Sequence, residues 1–294
     1  MPELPEVETI RRDLVPVLKG RTITSAWISP NAPRLVQLIH PDEFCRSLTG
    51  RTIEDIGRRG KYLLLHLLSL RGEGKKEGEG SPKGLTSGNA QLTWIVHLRM
   101  TGSLQHQPAG CVESPYLRAT FALDDGTSLC FVDVRKFGTF WLVDDTDLVL
   151  SKLGPEPLDE AFDVAAFHTL LKRRAAPIKA VLLDQAVLAG VGNIYADESL
   201  FLARIDPRKP ANKITRPAAG RLHEAVVDIL TEAVGDRGSS FSDYVDGRGQ
   251  EGFHQLKVRV YQRTDEPCLV CTTPIRRVVI GGRSTHFCPN CQKR

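Results

Sequence analysis

The chain has 294 residues, enough for two domains of ordinary size. Hydrophobic residues make up 41% and charged residues 25%, and no run of 18 apolar residues occurs, which argues against a membrane span. The acidic N-terminus lacks the basic and apolar regions of a signal peptide, so we expect a soluble cytosolic protein. Net charge is +4, with basic residues in groups, a pattern that suits nucleic acid or simply a solvated surface.

The first half of the chain predicts one helix followed by strands. Residues 3–18 carry apolar side chains at helical spacing, and Pro16 is expected to end that helix. Short strands are predicted at 21–29, 62–70, 93–100, 116–134 (broken by a turn at Asp125-Gly126) and 138–143. Strands of this kind indicate an antiparallel sandwich or barrel. Residues 72–90 are polar and glycine-rich, which predicts a disordered loop.

The second half predicts helices and then a short β-region. Helices are expected at 162–174, 177–186, 193–204 and 215–235. Residues 236–252 are rich in Gly, Ser and Asp, and we interpret them as a mobile loop. The last forty residues predict short strands that carry a cysteine motif.

Four of the seven cysteines form two Cys-x2-Cys pairs separated by sixteen residues, namely Cys268, Cys271, Cys288 and Cys291. Two such pairs close a tetrahedral Zn²⁺ site, and four sulfur ligands leave no open position, so the zinc is expected to be structural. Redox disulfides are the alternative. The remaining cysteines have no recognisable spacing and are predicted to be free thiols: Cys45, Cys111 and Cys130.

Two segments are suited to binding phosphate. A predicted hairpin over 275–285 has Gly281-Gly282 at its tip and presents Arg283, whose guanidinium can grip phosphate with two hydrogen bonds. The turn at 190–193 precedes a helix, where backbone N–H groups can approach an anion. An exposed arginine and a packing turn are the alternatives.

The N-terminus offers a candidate nucleophile. Removal of Met1 would give Pro2 a free secondary amine, and such terminal amines titrate roughly 2.5 pH units below lysine. A neutral amine can attack carbon and form a cationic iminium, and Glu3 is placed to exchange the proton. The alternative is that Pro2 only begins a helix.

Three segments in the same order resemble bacterial formamidopyrimidine-DNA glycosylases along nearly the whole chain. They are Pro-Glu-Leu-Pro-Glu-Val-Glu-Thr at 2–9, Gly-Val-Gly-Asn-Ile-Tyr-Ala-Asp-Glu at 190–198, and the four-cysteine hairpin. The resemblance implies an α+β fold, in which an N-terminal antiparallel β-sandwich flanked by helices precedes a helical domain with a helix–two-turn–helix element and a terminal β-hairpin zinc finger. The implied domains cover 1–148, 149–255 and 256–294.

The resemblance also implies roles for individual residues. Pro2 would attack C1′ of the damaged nucleotide and Glu3 would assist opening of the sugar ring. The implied catalytic set is Pro2, Glu3, Lys61 and Arg283. The implied DNA-binding set is Lys61, Met100, Arg135, Phe137, Lys179, Asn193 and Arg283. Of these, Met100, Arg135 and Phe137 would fill the space left by the extruded base, although Met100 and Phe137 could instead be core residues.

The implied activity is base-excision repair of oxidised purines (8-oxoguanine and formamidopyrimidines), followed by strand cleavage through β,δ-elimination. Such an enzyme takes one structural Zn²⁺, acts on double-stranded DNA containing oxidised purines or abasic sites, and works as a monomer in the bacterial cytoplasm on nucleoid DNA. Two alternatives stay open: an endonuclease VIII-type glycosylase for oxidised pyrimidines, and a non-catalytic lesion-binding zinc protein. The chain departs from the family pattern in the insertion at 72–90, and the damaged-base loop around 239–250 is the most variable part.

Overall fold

The computed structural model describes residues 1–68, 91–108, 110–111, 113–241 and 244–294, so the loop predicted at 72–90 lies outside the described residues. The chain forms two compact units. The first comprises Met1–Pro2, Glu6–Ser151 and Ser239–Gly252, and the second comprises Glu3–Pro5, Lys152–Gly238 and Phe253–Arg294. No helix of the described residues is long and apolar enough to cross a membrane.

The first unit contains two antiparallel four-stranded sheets. Its strands are β1 (Ile23–Ile28), β2 (Thr52–Arg59), β3 (Tyr62–Leu68), β4 (Leu92–His97), β5 (Gly102–Gln107), β6 (Leu117–Leu123), β7 (Ser128–Asp133) and β8 (Thr139–Val143). One sheet has the order β1-β6-β7-β5 and the other β2-β3-β4-β8. Alternating apolar residues direct one face of each sheet inward, as in β3, where every second residue is buried. The sequence did not predict β2 or β5.

Aromatic side chains fill the space between these sheets. The ring centroids of Trp94 and Phe121 lie 4.4 Å apart, and those of Phe131 and Phe140 lie 4.8 Å apart, each pair joining one sheet to the other. Phe44 stacks on Phe140 from a helix. These contacts confirm a sandwich with one apolar core.

Three helices belong wholly or largely to this unit, α1 (Leu4–Leu18), α2 (Pro41–Leu48) and α3 (Asp147–Leu150). The expectation that Pro16 ends α1 is wrong, because the helix continues to Leu18. A proline this close to the end removes only one late backbone hydrogen bond. The sequence did not predict α2, which begins with His40 as N-cap and Pro41 in its first turn.

The second unit is helical and ends in a hairpin. Its elements are α4 (Val164–Lys172), α5 (Ile178–Leu183), α6 (Asn193–Leu202), α7 (Arg216–Gly235), β9 (Arg276–Ile280) and β10 (Arg283–Phe287). The four predicted helices and the predicted hairpin are therefore confirmed, each within a few residues. Asp163 and Thr215 cap the N-termini of α4 and α7 with their side chains.

One prediction about the cysteines is wrong. Cys111 and Cys130 form a disulfide, whereas Cys45 is free as expected. Cys130 lies in β7, opposite Gln105 of the neighbouring strand β5, and Cys111 lies four residues after the end of β5. The two Cα atoms lie 5.6 Å apart, within the usual range for a disulfide. The spacing of the two residues in the sequence carries no sign of this pairing.

Candidate functional site

The carboxylate of Glu3 lies at the N-terminus of α6. Its Oε1 accepts a hydrogen bond of 3.1 Å from the backbone N–H of Ile194, and the residue is 2% exposed. The turn at 190–193 was predicted to bind a phosphate, but this N–H binds an anion of the protein itself. The partial positive charge of a helix N-terminus favours such a carboxylate. Glu3, the catalytic candidate that follows Pro2 in the chain, is thereby fixed in position.

Gly192 makes this contact possible. A Cβ atom at that position would lie 2.3 to 2.6 Å from the carboxylate atoms of Glu3, closer than any real contact. The backbone N–H of Leu4 also donates to the carbonyl of Gly190 at 3.0 Å. The glycines of the turn therefore serve the approach of the N-terminal segment, a role that the sequence alone did not indicate.

Lys179, predicted to contact DNA, is fully buried in α5. Its amine donates to Asp197 Oδ1 at 2.5 Å and to the carbonyl of Ser284 at 3.2 Å. Burial lowers the pKa of Lys179, while the carboxylates of Asp197 and Glu3 oppose that shift. In this structure Lys179 contacts protein groups of α6 and β10 and has no exposed surface.

Asn193 and Arg283 lie at the starts of α6 and β10, respectively. Arg283 is exposed at the hairpin tip, directly after Gly281-Gly282, as the sequence predicted. The side chain of Asn193 hydrogen-bonds that of Tyr261. Both residues thus sit on rigid elements of the second unit, which suits a site that must hold phosphate in a fixed place.

Lys61 lies in the tight turn between β2 and β3 and is 5% exposed. His97 on β4 pairs with Tyr62 in the sheet register, and the centroids of their rings lie 4.5 Å apart. Burial and the charges of Arg99 and Lys61 lower the pKa of His97 to about 3, so this imidazole is neutral at physiological pH. Nothing in the sequence pattern points to His97, because only the sheet register brings it beside the turn that contains Lys61.

The three residues expected to fill the space of an extruded base lie together. Arg135 Nη1 is 3.4 Å from the sulfur of Met100, and its guanidinium lies 4.8 Å from the ring centroid of Phe137. Phe137 is 49% exposed, so it is not a core residue. Lys136 has a positive φ of 58°, a backbone conformation that turns the chain sharply beside these side chains.

Asp133 holds the two loops that carry this group. Its buried carboxylate accepts hydrogen bonds from the Thr101 hydroxyl and from the backbone N–H groups of Arg135 and Gly138. A Cβ at Gly102 would lie 2.4 Å from the carbonyl oxygen of Leu98, so the first loop needs glycine there. The role of Asp133 could not be read from the sequence, because it depends on strand β7 lying beside β5.

The four predicted zinc ligands converge. All four sulfur atoms lie within 4.8 Å of one another, and the Cys268–Cys291 and Cys271–Cys288 pairs are 3.9 and 3.4 Å apart. Zinc bound at about 2.3 Å to each sulfur requires separations near 3.8 Å, so the cluster fits the ion. Burial and the neighbouring thiols raise the pKa of Cys291, which disfavours its thiolate form. A bound cation favours that thiolate form. The four residues form a structural zinc site.

The residues of both units point to a DNA-repair enzyme with a zinc finger, and comparison with known proteins defines the family. Residues 1–140 match the formamidopyrimidine-DNA glycosylase N-terminal domain, 153–244 match the H2TH domain of the same proteins, and 265–294 match the zinc finger found in FPG and IleRS. The chain belongs to the formamidopyrimidine-DNA glycosylase family. It is therefore an enzyme, a bifunctional DNA glycosylase and abasic-site lyase.

Individual relatives match over the full length. Formamidopyrimidine-DNA glycosylase of Listeria monocytogenes is 39% identical over 297 residues, covering 100% of both chains. That of Moorella thermoacetica is 44% identical, covering 95% of this chain and 94% of the relative. The crystal structure of Lactococcus lactis Fpg with DNA containing an abasic site has a TM-score of 0.84 at 36% identity, covering 99% of this chain and 100% of that one. The Thermus thermophilus MutM structure has a TM-score of 0.82 at 40% identity, covering 99% and 98%.

Proposed function

We propose that this enzyme removes oxidised purines from duplex DNA with Pro2 as nucleophile and then cuts the abasic strand. The observation that carries the proposal is the fixed carboxylate of Glu3, which follows Pro2 directly in the chain and is held on the N-terminus of α6. A proton donor beside the attacking amine is the arrangement that covalent catalysis at C1′ needs.

The proposed reaction has two stages, removal of the base and cleavage of the strand. Once Met1 is removed, the lone pair of the Pro2 nitrogen forms a bond to C1′, and the bond from C1′ to the base breaks as the base takes a proton from water. The nitrogen then passes its own proton to the Glu3 carboxylate. The sugar ring opens when Glu3 protonates its oxygen, which leaves an iminium between Pro2 and C1′. This cation acidifies the C2′ proton, and loss of that proton expels the 3′ phosphate by β-elimination. Loss of the C4′ proton from the resulting conjugated iminium then expels the 5′ phosphate by δ-elimination.

The remaining residues are proposed to bind DNA. Lys61, Asn193 and Arg283 are suited to the phosphates that flank the lesion, since cationic and amide groups on rigid elements position a backbone. The group of Met100, Arg135 and Phe137 is suited to the space of the extruded base, because apolar wedges offset the few kcal/mol lost on unstacking. The exposure of Phe137 supports this assignment. The zinc ion keeps the hairpin with Arg283 folded and takes no part in bond making.

Partners and place of action extend the same proposal. We propose that the enzyme works as a monomer on nucleoid DNA in the bacterial cytoplasm, with segments 1–148, 149–255 and 256–294 as its domains. The curated relatives are bacterial enzymes whose name specifies a DNA substrate, which supports this assignment.

Borohydride trapping tests the nucleophile. Enzyme lacking Met1 is mixed with a duplex carrying 8-oxoguanine opposite cytosine, reduced, and the cross-linked peptide is identified by mass. We expect an adduct on Pro2, and none with the Pro2→Gly variant, whose DNA binding should survive. Retention of Met1 on active enzyme, or an adduct on another residue, would reject the mechanism.

Oxidised pyrimidines are a second candidate substrate class. A solved structure of Lactococcus lactis Fpg, with a TM-score of 0.84 and 36% identity to this chain, contains DNA with an oxidised pyrimidine. The trapping experiment therefore includes a duplex carrying 5-hydroxycytosine. Faster trapping on 8-oxoguanine than on this duplex supports the purine assignment, and the reverse order supports the alternative.

A further inference from the structure

Asp197 connects three elements of the second unit through one buried carboxylate. It is 1% exposed and lies one helical turn after Asn193 in α6, so both residues share one face of the helix. Oδ1 accepts from Lys179 of α5, and Oδ2 accepts from the backbone N–H of His286 in β10 at 2.9 Å. The ring of His286 also lies within 3.3 Å of Oδ2.

Further side-chain contacts link the partners of this carboxylate to Asn193 and to the residue after Arg283. His286 packs edge-on against the ring of Tyr261, with centroids 5.4 Å apart, and Tyr261 in turn hydrogen-bonds Asn193. The amine of Lys179 also donates a hydrogen bond to the carbonyl of Ser284, the residue after Arg283. The hairpin is thus tied to α5 and α6 at residues 284 and 286.

Strand β10 carries Arg283 only one residue before the first of these ties. A strand whose backbone is fixed at two alternate residues holds the preceding residue in a definite direction. Asp197 itself belongs to α6, one turn after Asn193, so its carboxylate ties β10 to that helix. Neither residue can shift relative to the other without breaking a buried hydrogen bond or leaving a buried charge unpaired.

We propose that Asp197 is a positioning residue that sets Arg283 relative to Asn193, so that both engage DNA phosphate at once. This inference rests on the proposed phosphate-binding role of those two residues. Asp197 touches no DNA, and its effect on binding is exerted through β10.

The decisive measurement is the salt dependence of DNA binding. Each phosphate contact contributes about 0.9 to the slope of log Kd against log salt concentration. Asp197→Asn keeps the side-chain shape but directs an amide N–H₂ at one of its donors. With a duplex carrying a tetrahydrofuran abasic-site analogue, we expect affinity to fall about tenfold and the slope to fall by about 0.9. Arg283→Ala should lower the slope by the same amount as Asp197→Asn. The double variant of Asp197→Asn with Arg283→Ala should bind DNA little more weakly than either single variant.

Two controls separate positioning from loss of charge or stability. Asp228→Asn removes the same charge from the exposed face of α7, and Phe167→Leu leaves a cavity in the buried core of α4. Neither should change the slope. Zinc content of Asp197→Asn should stay at one ion per chain. Should that variant fail to fold, His286→Phe removes only the ring contact and is expected to lower the slope by a smaller amount.

The outcomes distinguish the positioning role of Asp197 from the phosphate-binding role of Arg283. If Arg283→Ala weakens binding but Asp197→Asn and His286→Phe leave the slope unchanged, the positioning role is refuted and the proposed function stands. If Arg283→Ala itself leaves binding unchanged, the phosphate assignment fails and the inference falls with it. Loss of zinc from Asp197→Asn, or additive effects in the double variant, would also overturn the inference.

Discussion

At the scale of single residues, the fixed position of Glu3 depends on the N-terminus of α6, where Ile194 lies 191 residues further along the chain. The N–H of Ile194 binds its carboxylate, and Gly192 leaves room for it. Gly192, which has no side chain, thus controls the placement of the Glu3 carboxylate. A substitution of Gly192 should therefore change activity through the position of Glu3, separately from any change in stability.

Gly192→Ala tests this separation. The added methyl group would meet the Glu3 carboxylate at 2.3 to 2.6 Å, so the carboxylate must move. We expect the single-turnover rate of strand cleavage to fall at least about 100-fold, a loss typical of a displaced proton donor. Gly235→Ala is the matched control, because nothing lies within 4 Å of its added Cβ. Unchanged cleavage by Gly192→Ala would show that the position of Glu3 is unimportant.

Glu8 illustrates an electrostatic contribution to stability within α1. Hydrogen bonds from Arg11 and Arg12 at 2.8 Å and an ion pair with Arg58 at 3.2 Å surround its carboxylate. Burial by itself raises the pKa of Glu8, but these three cations outweigh burial and lower the pKa to about 2. Because the folded-state pKa lies below the unfolded value, the contribution is complete above about pH 4.5 and is lost as pH falls toward 2.

The Glu8→Gln variant should reproduce this pH dependence. We expect the free energy of unfolding to fall by about 2 kcal/mol at pH 7, and the difference from the parent protein to shrink steadily as pH is lowered from about 4.5. Urea unfolding at several pH values measures it. Glu224→Gln, an exposed glutamate of α7, should have no such effect. A difference that stays constant with pH would contradict the ionic explanation.

At the scale of elements, the first unit uses two loops at the ends of neighbouring strands to assemble one functional group. Met100 lies before β5, and Arg135 and Phe137 lie after β7. These strands are paired, with Gly102 opposite Asp133. One buried carboxylate at this point can therefore hold both loops, and no single segment of sequence contains the complete group.

Asp133→Ala should disrupt the loops and spare the sandwich. The change leaves the N–H groups of Arg135 and Gly138 without their acceptor, at about 1 to 3 kcal/mol for each that stays buried. We expect excision of 8-oxoguanine to slow more than tenfold, whereas cleavage of a preformed abasic site should change less. Asp124→Ala, at an exposed turn, serves as control. Equal losses on both substrates would argue against a role in filling the vacated base position.

At the scale of the whole molecule, the two units differ in what stabilises their β-structure. The sandwich buries a large apolar core that includes residues of both sheets. Among the described residues, the apolar cluster at the four cysteines is small and consists of Phe201, Val260 and Ile275 with Cys268 and Cys288. Small structures with so little apolar core depend on a metal ion for folding.

Removal of zinc should therefore unfold the hairpin selectively. Cys271→Ser is expected to lose the metal and to weaken binding of abasic-site DNA at least about tenfold, because Arg283 loses its rigid support. The β-sheet signal in circular dichroism should persist. Cys45→Ser, which changes the free thiol outside the cluster, should retain zinc and affinity. Full DNA affinity after verified loss of zinc would refute this dependence.

The sequence predicted local features with success and long-range ones poorly. Helices such as α4 and α7 follow from apolar spacing and N-caps, and the zinc ligands follow from Cys-x2-Cys spacing. The disulfide of Cys111 with Cys130 and the role of Asp133 could not be predicted, because each depends on which strands pair. Burial of Lys179 was likewise missed, since its partner Asp197 belongs to another helix.

The amino-acid sequence by itself determined most of the helices and strands, the zinc motif and the family to which the chain belongs. These properties depend on short segments, in which the spacing of residues along the chain determines how their side chains are arranged. Tertiary structure alone decided which groups meet: Glu3 with the N-terminus of α6, Asp133 with two loops, and Asp197 with β10. The reason is physical. Strand register and helix packing bring together residues far apart in the chain, and burial then determines which charges need a partner.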